Sequence, residues 1–461
     1  MPYLLSRPCL TSARVLAWSM LALISIPALH GPTAKADDSL PEAPRLIVRG
    51  ARIFDAEAGR MIGPLDIEIR GDRIEGWGTF EPGEGDEAID ASGLYALPGL
   101  FDAHTHLAEL TRGGEGEPDS TLRRFVEAGI LQVRDVGGPI EIMRAMRGRI
   151  EAGEIVGPEI FHSGPMLERS PLLWGARNDS LPGFTVAIDS EADADSMLQV
   201  LVSGGARCVK AFGKFDQGVF AHLVARAREL GLPVVHDPGE PLFHQVPVDR
   251  SIEWGVSSIE HGKAPWPIVL REELQLEHDS LLARKPDRLE RMPFVMRVAA
   301  LGVESIDDAK VDALARRMVD RHVAFCPTLQ VFPAMLQDSA SMPSQMKTMV
   351  RAMDAISRHI VRRMADAGVA ILVGQDGIDP EGTRAEMRLL EAAGVSRVEI
   401  LRGATIHAAR ALGCESDYGS IAPAHVADIV LLEKDPLDDI RSVDSVRLVV
   451  RKGMIVPLPA R

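Results

Sequence analysis

Ala206-Arg-Cys-Val-Lys210, Pro233-Val-Val-His236 and Ser257-Ser-Ile-Glu-His261 are short apolar runs, each ending on a side chain that can carry a proton or bind a metal ion. Their last residues are 26 and 25 positions apart, the length of one strand, one helix and two turns. The Ala/Arg/Glu-rich residues 220–230 between the first two have helical composition. Outward along the chain the texture repeats. Ile130-Leu-Gln-Val-Arg134, Val323-Ala-Phe-Cys326 and Ala370-Ile-Leu-Val-Gly374 read as further strands, and residues 357–367 as a further helix. Repeated strand–helix units predict the α/β class with parallel strands, and their number favours a (β/α)8 TIM barrel over an open sheet. Residues 263–300 hold more chain than one crossover needs, which predicts a helical insertion over the barrel mouth.

The two ends differ from this middle. Arg45-Leu-Ile-Val-Arg49, Leu65-Asp-Ile-Glu-Ile-Arg70 and Arg73-Ile-Glu-Gly-Trp77 alternate and are broken by glycine turns, as are Ala427-Asp-Ile-Val-Leu-Leu432 and Val446-Arg-Leu-Val-Val450. Strands with one apolar face need a partner, so both ends are expected to meet in a small β-sandwich domain. The expected organisation is a leader at 1–36, β-domain parts at 37–97 and 416–461, and the barrel at 98–415.

Barrel enzymes keep their chemistry at the C-terminal ends of the strands, and the candidate ligands fall there. Leu97-Pro-Gly-Leu-Phe-Asp-Ala-His104-Thr-His106 ends a strand in His-x-His. In an extended segment residues two apart share a side, so both imidazoles can face one ion. Lys210, His236, His261 and Asp376 (after Leu-Val-Gly-Gln) occupy equivalent ends. His162, His244, Trp174 and Arg177 follow strand-like segments or lie in a nearby loop, and are candidates for touching substrate.

Pro98-Gly-Leu-Phe-Asp-Ala-His-Thr-His106 resembles the first-strand motif of the amidohydrolase superfamily of metal-dependent hydrolases. Gly129-Ile-Leu-Gln-Val-Arg-Asp-Val-Gly-Gly138, Ser258-Ile-Glu-His-Gly262, Cys326-Pro-Thr-Leu329 and Ala404-Thr-Ile-His-Ala-Ala-Arg-Ala-Leu-Gly413 are similar to the branch of imidazolonepropionases and Xaa-Pro dipeptidases. The resemblance implies two divalent ions, most simply zinc. His104, His106 and Asp376 would hold one, and His236 and His261 the other. Lys210, carbamylated by CO2, would bridge them, since a lysine ammonium has no lone pair to offer. A hydroxide shared by the ions would attack the scissile carbonyl, with Asp376 as the catalytic proton carrier. The expected reaction is hydrolysis of an amide or peptide-type C–N bond in a dipeptide, N-acyl amino acid or cyclic amide.

A mononuclear deaminase or imidazolonepropionase-like hydrolase is the first alternative. Superfamily deaminases usually place Glu three residues after the fifth-strand His, whereas His236-Asp-Pro-Gly-Glu240 puts Gly239 there. A lactonase or esterase using the same two ions is another alternative, and a metal-binding scaffold without turnover a third. Ala424-His425-Val426 and His162-Ser-Gly-Pro-Met-Leu167 depart from many relatives, so a relative's substrate preference does not transfer.

The N-terminus reads as a signal peptide: Arg7 and Arg14, an apolar run at 15–29, then Ala34-Lys35-Ala36 before Asp37-Asp38. The run is shorter than the roughly 20 residues that span a bilayer. Export to the periplasm or medium is expected, with no stable membrane span after cleavage. A formal charge of −15 argues against nucleic acid as a partner and leaves a small-molecule substrate, with a homo-oligomer open. Beyond Cys9 in the leader, Cys208, Cys326 and Cys414 are too few and too scattered for a disulfide framework.

Overall fold

The computed structural model describes residues 45–112, 117–239, 242, 245–284, 288–337 and 342–459. The expected leader and His244 lie outside these residues. Five strands open the described chain: β1 (Arg45–Asp55), β2 (Arg60–Arg70), β3 (Arg73–Gly78), β4 (Glu87–Asp90) and β5 (Tyr95–Pro98). Nine short strands follow: β6 (Leu100–Thr105), β7 (Ile130–Asp135), β8 (Glu159–His162), β9 (Met166–Glu168), β10 (Thr185–Ala187), β11 (Val209–Phe212), β12 (Val234–Asp237), β13 (Ser258–Glu260) and β14 (Ala324–Cys326). The chain closes with β15 (Ile429–Leu432), β16 (Val446–Arg451) and β17 (Met454–Val456).

The two ends build one eight-stranded sheet in the order β17-β16-β15-β5-β1-β2-β3, with β4 on β1. β15 pairs antiparallel with β5, so the last part of the chain is stitched to the first. Alternation sends the side chains of β15 to different cores. Ile429 and Leu431 join Ile53, Ile67 and Ile69 in a core of the end sheet, while Val430 and Leu432 join the large core under the helices.

The middle of the chain is α/β with parallel strands, in sheets β6-β7-β8 and β10-β9-β11-β12-β13-β14. The predicted strand at 370–374 is reduced to a parallel bridge from Ile371 to Phe325. It still makes strand-like bonds to both sides: Leu372 N donates to Phe325 O, and Ala103 N to Val373 O. Helices lie between the strands and start on side-chain caps. Asp216 accepts from Gly218 and Val219 ahead of Gln217–Glu229, and Asp379 accepts from Glu381 ahead of Pro380–Ala392.

Residues 263–300 are helical as expected, in Trp266–Val269, Glu272–Ala283 and Arg288–Leu301. Apart from Lys263, they are not what walls the space above the strand ends. That wall comes from residues 327–335 and 346–353, the latter on the 23-residue helix Ser344–Asp366. Gly262 permits its approach, because a Cβ there would lie 2.6 Å from Ser357 Cβ. Among the described residues, no helix is long and apolar enough to cross a membrane. Cys208, Cys326 and Cys414 are free and buried.

Candidate metal centre

β6 delivers His104 and His106 to the C-terminal ends of the parallel strands. Its pairing with β7 shifts register between Asp102 and Thr105. Asp102, buried behind the strand, accepts from His104 N (3.0 Å), Gln375 Nε2 (2.7 Å) and Thr383 Oγ1 (2.5 Å). It thereby ties the end of β6 to the segment carrying Asp376. Burial pushes the Asp102 carboxyl up to about 6, against those hydrogen bonds. Asp376 N donates to His104 O. Gly374 lets the two segments meet, since a Cβ there would lie 2.8 Å from His104 Cβ and 2.6 Å from Cys326 Sγ.

The side chains converge accordingly. Asp376 Oδ1 lies 3.1 Å from His106 Nε2 and 3.5 Å from His104 Nε2. One donor atom from each of the three residues falls within 4.8 Å of the others. His104 Nδ1 is 2.6 Å from Glu260 Oε2. Arg134 grips the same carboxylate at 2.8 and 3.0 Å, and Ser258 Oγ donates to it at 2.6 Å. Burial opposes ionisation of Glu260, but Arg134 and then His104 hold its carboxyl below the usual range. An ionised Glu260 only accepts, so Nδ1 carries the His104 proton and Nε2 keeps its lone pair. Nε2 is buried with no hydrogen-bond partner, and burial, then the Lys210 ammonium, pulls the ring down to about 3. A buried acceptor aimed at a carboxylate and a second imidazole suits a divalent cation. Glu260 and Cys326 form a second donor group with His104, but there the nitrogen is already spent on Glu260.

Lys210 lies on β11 and is fully buried. Its Nζ is 3.1 Å from Asp237 Oδ2, at angles that do not make a hydrogen bond. His261, at φ 71 just past β13, places Nε2 2.9 Å from the same oxygen and Nδ1 2.7 Å from Thr328 Oγ1. Burial disfavours the Asp237 charge, yet His261 and Lys210 keep its carboxyl well below the usual range. Thr328 (φ 47) and Asp376 (φ 57) also hold left-handed conformations. Three strained non-glycine residues therefore gather at one place, each at roughly 1–3 kcal/mol, as functional sites often do.

His236 is not brought to this group. β12 runs one residue beyond the apolar segment that ends at His236, and its register pairs Lys210 with Val235 and Phe212 with Asp237. Alternation therefore turns Val235 and Asp237 toward Lys210 and turns His236 to the other face. There its Nδ1–H donates to Ser251 Oγ (2.8 Å), its ring stacks edge-on against Phe220, and burial pulls it down to about 3. Asp237 stands where His236 was expected. It carried a sequence signal, the alternation counted inward from Lys210, which the apolar ending of the segment obscured.

A cavity of about 930 Å³ opens over Asp376, His106, His261 and Asp237. Trp174 and Arg177 line it, with Arg177 Nε 3.0 Å from Glu109 Oε1. His162 does not line it. That ring is buried beside β8 without hydrogen-bond partners, and burial pulls it down to about 4.

Residues 298–456 match the amidohydrolase family model. A dihydroorotase of Streptomyces coelicolor is 28% identical over 249 residues, covering 52% of this chain and 51% of that enzyme. A 5-methylthioadenosine/S-adenosylhomocysteine deaminase of Natronomonas pharaonis is 25% identical over 427 residues, covering 85% and 82%. Among solved structures, a prolidase complexed with N-methylphosphonate-L-proline superposes with a TM-score of 0.69 at 21% identity, over 90% of this chain and 100% of that one. This chain spans about half the length of the dihydroorotase it matches. The amidohydrolase family match is thus carried by residues 298–456, and nine-tenths of the chain shares the fold of that prolidase.

Proposed function

We propose that this protein is a metal-dependent hydrolase cleaving the amide or peptide-type C–N bond of a small molecule. The observation that carries this reading is the convergence of His104 Nε2, His106 Nε2 and the Asp376 carboxylate, with His104 locked by Glu260. In this reading the parallel strands close into a (β/α)8 barrel, residues 370–377 serve as its eighth strand, and the end sheet forms the sandwich domain.

His104, His106 and Asp376 would hold one zinc-type ion. His261, Asp237 and Lys210 face a neighbouring position, where a carbamylated Lys210 would supply the oxygen that its ammonium lacks. Bound ions would polarise the scissile carbonyl and make water nucleophilic near neutral pH. Asp376, at the junction of both positions, would take a proton from the attacking water and deliver it to the leaving amine. Asp237 and Thr328 orient His261, and the strained turn at Asp376 fixes its carboxylate over the histidines. The export expected from the N-terminal residues is part of the proposal, with cleavage after Ala36.

A single-ion centre of deaminase or cyclic-amide type is the second reading, favoured by the Lys210–Asp237 pair at 3.1 Å. In that case Lys210 stays an ammonium and neutralises Asp237. Metal content per chain, measured by elemental mass spectrometry after expression with zinc and bicarbonate, separates the two. About two equivalents, falling to one in Lys210→Ala, supports the bridged centre. One equivalent in both sinks it. No metal, together with no hydrolysis across amide, ester and lactone panels, sinks both.

A further inference from the structure

The helix Ser344–Asp366 turns Met346, Met349, Val350 and Met353 into the cavity, a spacing of three, four and seven that makes one helical stripe. Phe332 and Met335 extend this wall, and Met166, Trp174, Phe184 and Phe212 stand on other sides. Met346 and Met335 are 44% and 45% exposed, although the core offers burial for such side chains. Five of the chain's 18 methionines line this one space. Thioether side chains adapt to varied apolar shapes, and a concentration of them suits flexible apolar ligands. The volume, about 930 Å³, sits at the upper end of the roughly 300–1,000 Å³ of small-molecule sites, and a small polar dipeptide would leave most of it unfilled.

The charges are distributed unevenly. Asp376 and Asp237 lie at the floor among the histidines, and at the side Arg177 and Arg112 share the single carboxylate of Glu109. Lys263, two residues beyond His261, also lines the cavity; its charge helps hold Asp237 ionised, but among the described residues no carboxylate stands within ion-pair distance of it. A ligand that satisfies both features needs an apolar body and one anionic group close to the scissile bond.

Resting on the hydrolase reading above, we propose that the substrate is an N-acyl amino acid with a long or bulky apolar acyl group. The acyl chain lies along the Met346/Met349/Met353 stripe, and the amino-acid carboxylate pairs with Lys263. Hydrolysis breaks the amide C–N bond. The oxygen of water joins the acyl carbon to give a carboxylic acid, and its proton goes to the leaving nitrogen to give the free amino acid.

The test is calorimetric binding to the full chain, with N-dodecanoylglycine, N-acetylglycine and N-dodecanoylglycinamide as probes below their micelle-forming concentrations. Hydrolysis of the same probes is followed in parallel. N-dodecanoylglycine should bind at least about 100-fold more tightly than N-acetylglycine. Lys263→Gln should weaken N-dodecanoylglycine about tenfold and the neutral glycinamide less than about twofold. The pair Met349→Gln and Met353→Gln should weaken both dodecanoyl probes. Acetyl and dodecanoyl probes binding within about threefold of each other overturn the proposal, as does Lys263→Gln acting equally on the charged and neutral probes. Hydrolysis of N-acetylglycine without the expected binding order removes this inference and leaves the hydrolase. The binding order without hydrolysis of any amide removes the hydrolase and leaves the ligand class.

Discussion

At the residue scale the centre depends on which face of β12 meets Lys210. Asp237 shares an oxygen contact with His261 and Lys210, while His236 is held by Ser251 and Phe220 on the far side. Asp237→Asn keeps the shape but removes the anionic donor, so it should lower metal content per chain and reduce kcat at least about 100-fold. His236→Gln should keep full metal content and lose only stability, about 1–3 kcal/mol from the buried hydrogen bond and ring packing. Elemental analysis beside thermal unfolding checks both, and metal loss confined to His236→Gln would reverse the assignment. Gly374→Ala is a second case. Its methyl would press on His104 and Cys326, costing about 1–3 kcal/mol and weakening metal binding through a displaced His104. Unchanged zinc affinity in a folded Gly374→Ala protein would show that the contact relaxes elsewhere. The gathering of His104, His106, Lys210, His261 and Asp376 follows from each standing at or just past the end of an apolar run. Asp237 was not legible in this way, because a run shows where apolar character ends and not where strand pairing ends. One residue of overhang changes the face.

At the element scale the site is braced by contacts between segments far apart in sequence. The turn after β14 carries Thr328, which holds His261. Glu386, on the helix Pro380–Ala392, fixes that turn by accepting from Leu329 N (3.0 Å) and Gln330 N (2.7 Å). Burial pushes its carboxyl up to about 8, against the pull of those two amides. An unfolded glutamate titrates near 4.5, so the folded state binds the proton more tightly than the unfolded state does. The resulting stability is fully present below pH about 4.5 and is lost as pH rises towards 8, by about 3–5 kcal/mol in all. Glu386→Gln should remove this slope while costing about 1–3 kcal/mol at acid pH, where its amide meets a backbone donor. Urea unfolding at pH 5, 7 and 8.5 measures the difference, and parallel pH profiles for the two proteins would show that Glu386 ionises normally. No sequence pattern announces this brace, because it joins two segments only once the fold is made. The cavity wall is a different case. The 346/349/350/353 stripe was present in the sequence, but the core-facing and cavity-facing stripes of a helix look alike until its neighbours are placed.

At the scale of the whole molecule, the strand patterns at the two ends indicated that the ends meet, whereas their dependence on the middle appears only in the packing. β5 lies between β1 and β15. Phe54, Leu97, Val430, Leu432, Val446 and Val449 point out of the end sheet into the core that also buries Leu131, Val133 and Phe125. Asp428 bolts the layers together: Gln132 Nε2 donates to its Oδ2 at 2.5 Å, Lys452 N to its Oδ1 at 2.7 Å, and Gly99 N to its backbone oxygen. A fragment of residues 98–415 would keep every candidate ligand yet uncover the apolar face that the end sheet buries. An exposed patch of that kind drives association in a soluble chain. The fragment should therefore be recovered as aggregate, or as an expanded species lacking metal, while residues 43–461 give a folded protein with one cooperative transition. Size-exclusion chromatography, calorimetry and zinc content on the two proteins decide the matter. A monomeric 98–415 fragment that binds zinc as the longer chain does would show that the end sheet is an accessory and not a wall of the same core.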